Sequence, residues 1–145
     1  MSIKQTFTMK EGFTIIEKIK ISSNFDSLVD IEELVDNTCN SLGVTEDAYG
    51  NVLIAVTEAV NNAIQHGNSF NNTLSVDILV GDKNEEFCFT VKDQGNGFDF
   101  TNLPDPTAPE NLLKENGRGI FLMKSLSENV EYEEEGKSVN IYFTK

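Results

Sequence analysis

Two alternating runs separated by a short polar turn restrict this chain more than any other feature. "TLSVDILV" (73–80) places Leu74, Val76, Ile78 and Val80 on one side, and "EFCFTVKD" (86–93) does the same with Phe87, Phe89 and Val91. Period-two alternation sends every second side chain to one face of a strand. "GDKNE" between the runs supplies a turn, so the pair predicts an antiparallel hairpin whose apolar face needs a cover. "VEYEE", a turn at Gly136 and "SVNIYF" predict a second hairpin near the end. "FTIIEKIKI" (13–21) reads as a further strand, with Phe13, Ile15, Ile19 and Ile21 on one side and Glu17 interrupting them.

The cover is helical. Residues 24–43 set Leu28, Ile31, Leu34, Val35 and Leu42 on one helical face. Asn24 or Asp26 suits the start of that helix and Gly43 its end. Thr45 suits the start of a second helix, with Glu46 and Asp47 favourable in its first turn. It is expected to run to about His66, where Gly67-Asn68 gives a stop signal. A shorter third helix is expected after Gly119. The expected class is α+β: a two-layer sandwich with a mostly antiparallel, mixed sheet, helices on one face and water on the other. At 145 residues, of which 39% are hydrophobic, residues 1–145 are expected to form a single domain with a real core.

Charge and cysteine use narrow the functional classes. A formal charge of −13 argues against direct binding to nucleic acid or to an anionic membrane surface. No apolar run approaches the roughly 18–20 residues of a membrane span, and "MSIKQTFTMKEGF" lacks the apolar stretch of a secretory signal. A cytoplasmic location is expected. Cys39 and Cys88 lie far apart without C-x-x-C spacing and read as two reduced, buried thiols. Two cysteines and one histidine make a poor zinc site.

The second helix carries "EAVNNAIQHG" (58–67). Glu58, Asn62 and His66 follow at i, i+4 and i+8 and stack along one face. That face is expected on the far side from a stripe of Leu53, Val56, Val60 and Ile64. Ala55, Ala59 and Ala63 flank it and leave room for a ligand. Taken alone, a polar helix face is commonly just hydrated, and a histidine near a helix C-terminus commonly meets the last carbonyls.

Two glycine pairs change that balance. The strand ending at Asp93 runs into "DQGNGF" (93–98), where Gly95 and Gly97 allow a flat ligand to approach the backbone. An ionised Asp93 only accepts hydrogen bonds, which suits an exocyclic amine such as that of adenine. Residues 98–116 then break all patterning and hold Pro104, Pro106 and Pro109, the only prolines. Such a stretch reads as a lid. "NGRGIFLM" (116–123) opens a helix, and its glycines leave N–H groups available to an anion. Arg118, the only arginine, sits between them and suits a phosphate, with Lys114 close by. Neither stretch is G-x-G-x-x-G or a P-loop.

The ordered set, E-x-x-x-N-x-x-x-H on a helix, D-x-G-x-G after a hairpin, a proline-rich lid and G-x-G at a helix start, resembles the GHKL ATP-binding family of gyrase, MutL and the histidine kinases. "EAVNNAIQHG" looks like its N-box, "DQGNGF" its G1 box and "NGRGIFLM" its G2 box. The resemblance covers nearly the whole chain. It implies ATP and Mg²⁺ as cofactors, with Asn62 as the magnesium ligand, Glu58 as general base and Asp93 reading adenine. It implies that Gly95, Gly97, Gly117 and Gly119 frame the nucleotide and lid, and it places His66 in the N-box. Within the family the chain is similar to the anti-sigma-factor serine kinases of the RsbW and SpoIIAB type. That implies phosphorylation of a STAS-type anti-anti-sigma antagonist, binding to a sigma factor, and homodimer formation. Two other readings stay open: an ATP-dependent binding module without chemistry, and a detached histidine-kinase-like ATPase domain. The only histidine already lies in the N-box, which speaks against autophosphorylation on histidine.

Overall fold

Five strands form one sheet in the order β1-β2-β3-β5-β4. They are β1 (Thr14–Ser22), β2 (Ser75–Lys83), β3 (Glu86–Lys92), β4 (Asn129–Glu133) and β5 (Ser138–Thr144). The computed structural model describes residues 9–95 and 115–145. Both predicted hairpins form, and β5 inserts between β3 and β4. Every pairing is antiparallel, so the sheet is not mixed.

Among the described residues, three helices cover one face: α1 (Leu28–Leu42), α2 (Glu46–Asn62) and α3 (Glu115–Ser125). Capping follows the sequence signals at Gly43 and Thr45 but not at the start of α1, whose N-cap is Ser27, with no side-chain cap bond. The Asn24 side chain accepts from Asp26 N–H at 2.9 Å and starts a short 3₁₀ turn, Phe25–Ser27, ahead of α1. Gly43 ends α1 in the left-handed region, at φ 72°. Thr45 Oγ1 accepts from Ala48 N–H at 3.2 Å at the start of α2. The α3 helix begins before its glycines rather than after Gly119, so Gly117 and Gly119 lie inside it. No helix among the described residues is long and apolar enough to cross a membrane.

The core lies between the helices and one side of the sheet. Val76, Ile78, Val80, Phe87, Phe89 and Ile141 come from the sheet, and all are fully buried. Ile31 and Val35 come from α1, Val52, Val56 and Val60 from α2, and Met123 from α3. Phe87 stacks on Phe143 with ring centroids 5.2 Å apart, and Phe89 meets the same ring edge-on at 6.4 Å. Each such side chain contributes roughly 1.5–3 kcal/mol by leaving water.

The other sheet face is drier than alternation implies. Cys88, Thr90, Asn140 and Tyr142 are all buried there. One cause is a bulge in β1: Ile15 sits opposite Gly81, but Glu17 sits opposite Val80. The extra residue flips the side-chain phase. Ile19 and Ile21 therefore face the helices, while Phe13 and Ile15 turn to the opposite side. Phe13 lies 5.5 Å from the Tyr142 ring, and Lys10 N–H donates to Tyr142 Oη at 2.9 Å. The second cause is polar pairing: Thr90 Oγ1 donates to Asn140 Oδ1 at 2.6 Å, and Asn140 Nδ2 donates to Glu133 Oε2 at 3.0 Å. Both cysteines are free and buried. Burial, with the nearby Asp36 charge, pushes the Cys39 thiol up to about 11. Burial pushes Cys88 up to about 12 against a hydrogen bond with Thr90.

Phe89 is fully buried in the core between the two layers. Phe89→Ala is expected to cost about 3–5 kcal/mol, from lost burial plus the cavity left behind. Urea unfolding of the variant and the parent protein measures this directly.

Candidate functional site

The α2 helix does not end at Asn62. A single π-helical turn, Ala63–Gly67, continues it, closed by Asn68 N–H donating to Ala63 C=O at 2.8 Å. A π turn widens the helix by one residue and often marks a functional site. Here it carries His66 and Gly67 toward the end of β3. The core stripe of α2 differs slightly from expectation. Val52 is buried while Leu53 is half-buried, because Ala55, Ala59 and Ala63 also turn into the core.

The end of β3 meets this turn at backbone distance. A Cβ on Gly95 would overlap the Gly67 carbonyl oxygen, and a Cβ on Gly67 would overlap the Asp93 carboxylate. Both positions therefore require glycine for space. Asp93 N–H donates to Lys137 C=O at 2.9 Å, and Gly95 N–H donates to Asp93 Oδ1 at 2.9 Å. Burial raises the Asp93 carboxyl above its ordinary value of 3.8, while the Gly95 N–H bond and the Lys137 charge pull it back.

These elements enclose a cavity of about 270 Å³. Asn62, His66 and Asp93 all line it, as do Ala59 and Ala63. The small side chains of α2 do leave room beside the polar face. Sequence reasoning missed the rest of the wall: Ile120 and Met123 from α3, Tyr132 from β4, and Gly136, Lys137 and Val139 from the last hairpin. Only Gly136 left a local signal, its turn, where φ is 89°. Burial pushes the Tyr132 hydroxyl up to about 12, so it stays protonated at neutral pH.

Glu58 lies one helical turn before Asn62, against α3. A Cβ on Gly119 would come within 2.6 Å of Glu58 Oε1 and 3.7 Å of Asn62 Nδ2. Gly119 thus lets α3 pack directly over the carboxylate and the amide. Gly117 and Arg118 also fall in α3, with side-chain surroundings outside the described set. Gly97, Lys114 and residues 98–114 of the expected lid (98–116) lie outside the described residues, and its last two positions, Glu115 and Asn116, begin α3 instead. Among the described residues, no group of three or more His, Cys, Asp or Glu side chains could hold a metal ion. The Asn62 amide and the Glu58 carboxylate are hard oxygen donors. They suit a cation such as Mg²⁺ that brings most of its ligands with it.

Two glycine substitutions separate close approach from ordinary helix propensity. Gly95→Ala is expected to destabilise by about 1–3 kcal/mol, because backbone must move to admit the methyl group. Gly50→Ala, inside α2 with nothing within 4 Å, is expected to stabilise by about 0.5–1 kcal/mol. Thermal unfolding of the pair gives both signs in one experiment.

Comparison with known proteins bears on the family and the fold. A family profile described as Histidine kinase-like ATPase domain matches residues 21–143. Serine-protein kinase RsbW of Staphylococcus aureus, in strains JH9, Newman and USA300, is 29% identical over 140 residues, covering 91% of this chain and 86% of the relative. A crystal structure of the RsbU and RsbW domains of a Mycobacterium tuberculosis protein superposes with a TM-score of 0.59 at 12% identity. That match covers 88% of this chain and 30% of the other, and it concerns the fold. The profile match spans most of the chain, and on that ground the chain belongs to the histidine kinase-like ATPase domain family.

Proposed function

We propose that this protein is an ATP-dependent serine kinase and anti-sigma factor, acting on a STAS-type anti-anti-sigma antagonist in a partner-switching circuit. The observation that carries the reading is the convergence of Asn62, His66 and Asp93 on one cavity, with Glu58 one turn away under Gly119. Family membership implies ATP binding, and the similarity to Serine-protein kinase RsbW supports the choice of kinase over bare ATPase. Two free buried thiols fit a reducing cytoplasm.

The roles follow from the chemistry of each group. The cavity, near 270 Å³, is slightly below the roughly 300 Å³ of pockets that enclose a whole drug-sized ligand. It therefore suits the base of a nucleotide. Asp93 accepts from the adenine amine at one end, and Ile120, Met123 and Val139 supply apolar walls. The Asn62 amide oxygen would hold Mg²⁺, which would supply neutralisation of phosphate charge. Glu58 accepts the proton of the substrate serine as the hydroxyl oxygen bonds to the γ-phosphorus. The bond from that phosphorus to the β-phosphate bridging oxygen breaks, and ADP leaves. Gly97, Lys114, Gly117 and Arg118 are assigned to the phosphate side. A phosphate on the antagonist adds roughly −1.5 to −2 charge at neutral pH, which an acidic partner repels. The released antagonist then leaves this protein free to hold its sigma factor.

The test is phosphotransfer from γ-labelled ATP with Mg²⁺ to each STAS-domain protein of the same genome. Serine-linked label on one of them is expected. Glu58→Gln is expected to bind ATP as before and to lower transfer by about 10²–10⁴-fold; transfer at the parental rate removes Glu58 as the base. The Asp93 role predicts a pH dependence. A carboxyl raised above 3.8 takes up its proton earlier on acidification than a free aspartate. ATP affinity is therefore expected to fall as pH drops toward a midpoint above 3.8, and the limb is expected to vanish in Asp93→Asn. The same shift makes the Asp93 contribution to fold stability greatest when protonated and smaller as pH rises through that window. Calorimetric titration across pH 7 to about 4 distinguishes these outcomes.

A further inference from the structure

Asn68 follows the π turn and is only 2% exposed. A buried amide needs its hydrogen bonds met, and Asn68 meets them with three separate segments. Its Nδ2 donates to Ser23 Oγ at 2.9 Å and to the Ser75 carbonyl at 3.0 Å. Ser23 Oγ in turn donates to the Leu74 carbonyl at 2.7 Å. Its Oδ1 accepts from Gln94 N–H at 2.8 Å. Gln94 is the residue between Asp93 and Gly95, and its own Oε1 accepts from Ser75 N–H at 2.6 Å. The peptide next to Asp93 is thus held through both its main chain and its side chain.

The segment that supplies Asn68 is itself strained. Ser69 and Phe70 follow at φ 52° and 59°, the left-handed region that a bulky side chain rarely adopts. Such conformations persist only where surrounding contacts over-determine them, and they gather at functional sites.

We infer that Asn68, together with Gln94, is a positioning clamp that sets the Asp93 carboxylate for base recognition. The inference rests on the reading of Asp93 given above. Asn68 does not line the cavity, and it acts through the Gln94 peptide. The direct contact between Gly95 and Gly67 limits how close the two backbones come, and the clamp limits how far they part.

The test is a double-mutant cycle on ATP affinity, measured by calorimetry well below each variant's unfolding transition. Asp93→Ala alone is expected to weaken ATP binding by roughly tenfold or more, the scale of one lost charge-assisted hydrogen bond. Asn68→Ala is expected to weaken it by about tenfold where Asp93 is present, and by less than about twofold in the Asp93→Ala background. Gln94→Ala, on an exposed side chain, is expected to behave alike with a loss of about threefold, and it carries the test if Asn68→Ala does not fold. Equal losses in both backgrounds, or no loss at all, overturn the clamp and leave a structural amide. Unchanged affinity in Asp93→Ala overturns the reading of Asp93 itself, and the clamp with it.

Discussion

The close approach of the Gly67 and Gly95 backbones governs the rest of this architecture. It joins the end of a helix to the end of a strand at a separation that no side chain allows. Everything upstream serves to deliver those two points. The central strand β3 is buried on both faces, and its pairing with β2 and β5 fixes where Asp93 emerges. The wide turn after Asn62 brings the helix end across to meet it. Gly67 and Asp93, one from each side of that junction, both line the cavity.

The polar groups divide along α2. Glu58 and Asn62, separated by about 6 Å of helix rise, sit beneath α3, whereas Gly67 lies directly against Asp93 and His66 joins them in the cavity wall. The proposed chemistry keeps that division: phosphoryl transfer toward Glu58, recognition of the base toward Asp93. Between them the lining is mainly apolar, which suits a planar base better than a sugar or a peptide. The acidity of the chain makes this arrangement meaningful. A half-buried carboxylate in a protein of charge −13 receives little help from the general field. Local partners, the Gly95 N–H and Lys137, do that work for Asp93.

Local periodicity made much of this readable. The β2–β3 hairpin, the caps at Asn24, Thr45 and Gly43, and the i, i+4 spacing of Glu58 and Asn62 all depend on residues a few positions apart. What escaped reading depends on distant neighbours. The bulge in β1 exists only relative to β2, and without it Phe13 and Ile15 read as core rather than as cover for the second face. Thr90 and Asn140 look like exposed strand residues until β3 and β5 are placed side by side. Tyr132 and Lys137 join the cavity because the last hairpin folds back beside β3, and no spacing within "EYEEEGKSV" announces it. The π turn was invisible for a different reason. Helix periodicity continues smoothly into "AIQHG", and one residue of widening leaves no mark in composition.

The two thiols have a consequence of their own. A thiol reacts as its thiolate, and both cysteines are held protonated at neutral pH by burial, near 11 and 12. Cys39 sits in the helical layer and Cys88 in the middle strand of the sheet. Alkylating reagents therefore find them only during transient openings, and the rate of labelling at each position times the loosening of its own layer. The chain carries a pair of built-in clocks, one for the departure of α1 from the core and one for the exposure of the central strand.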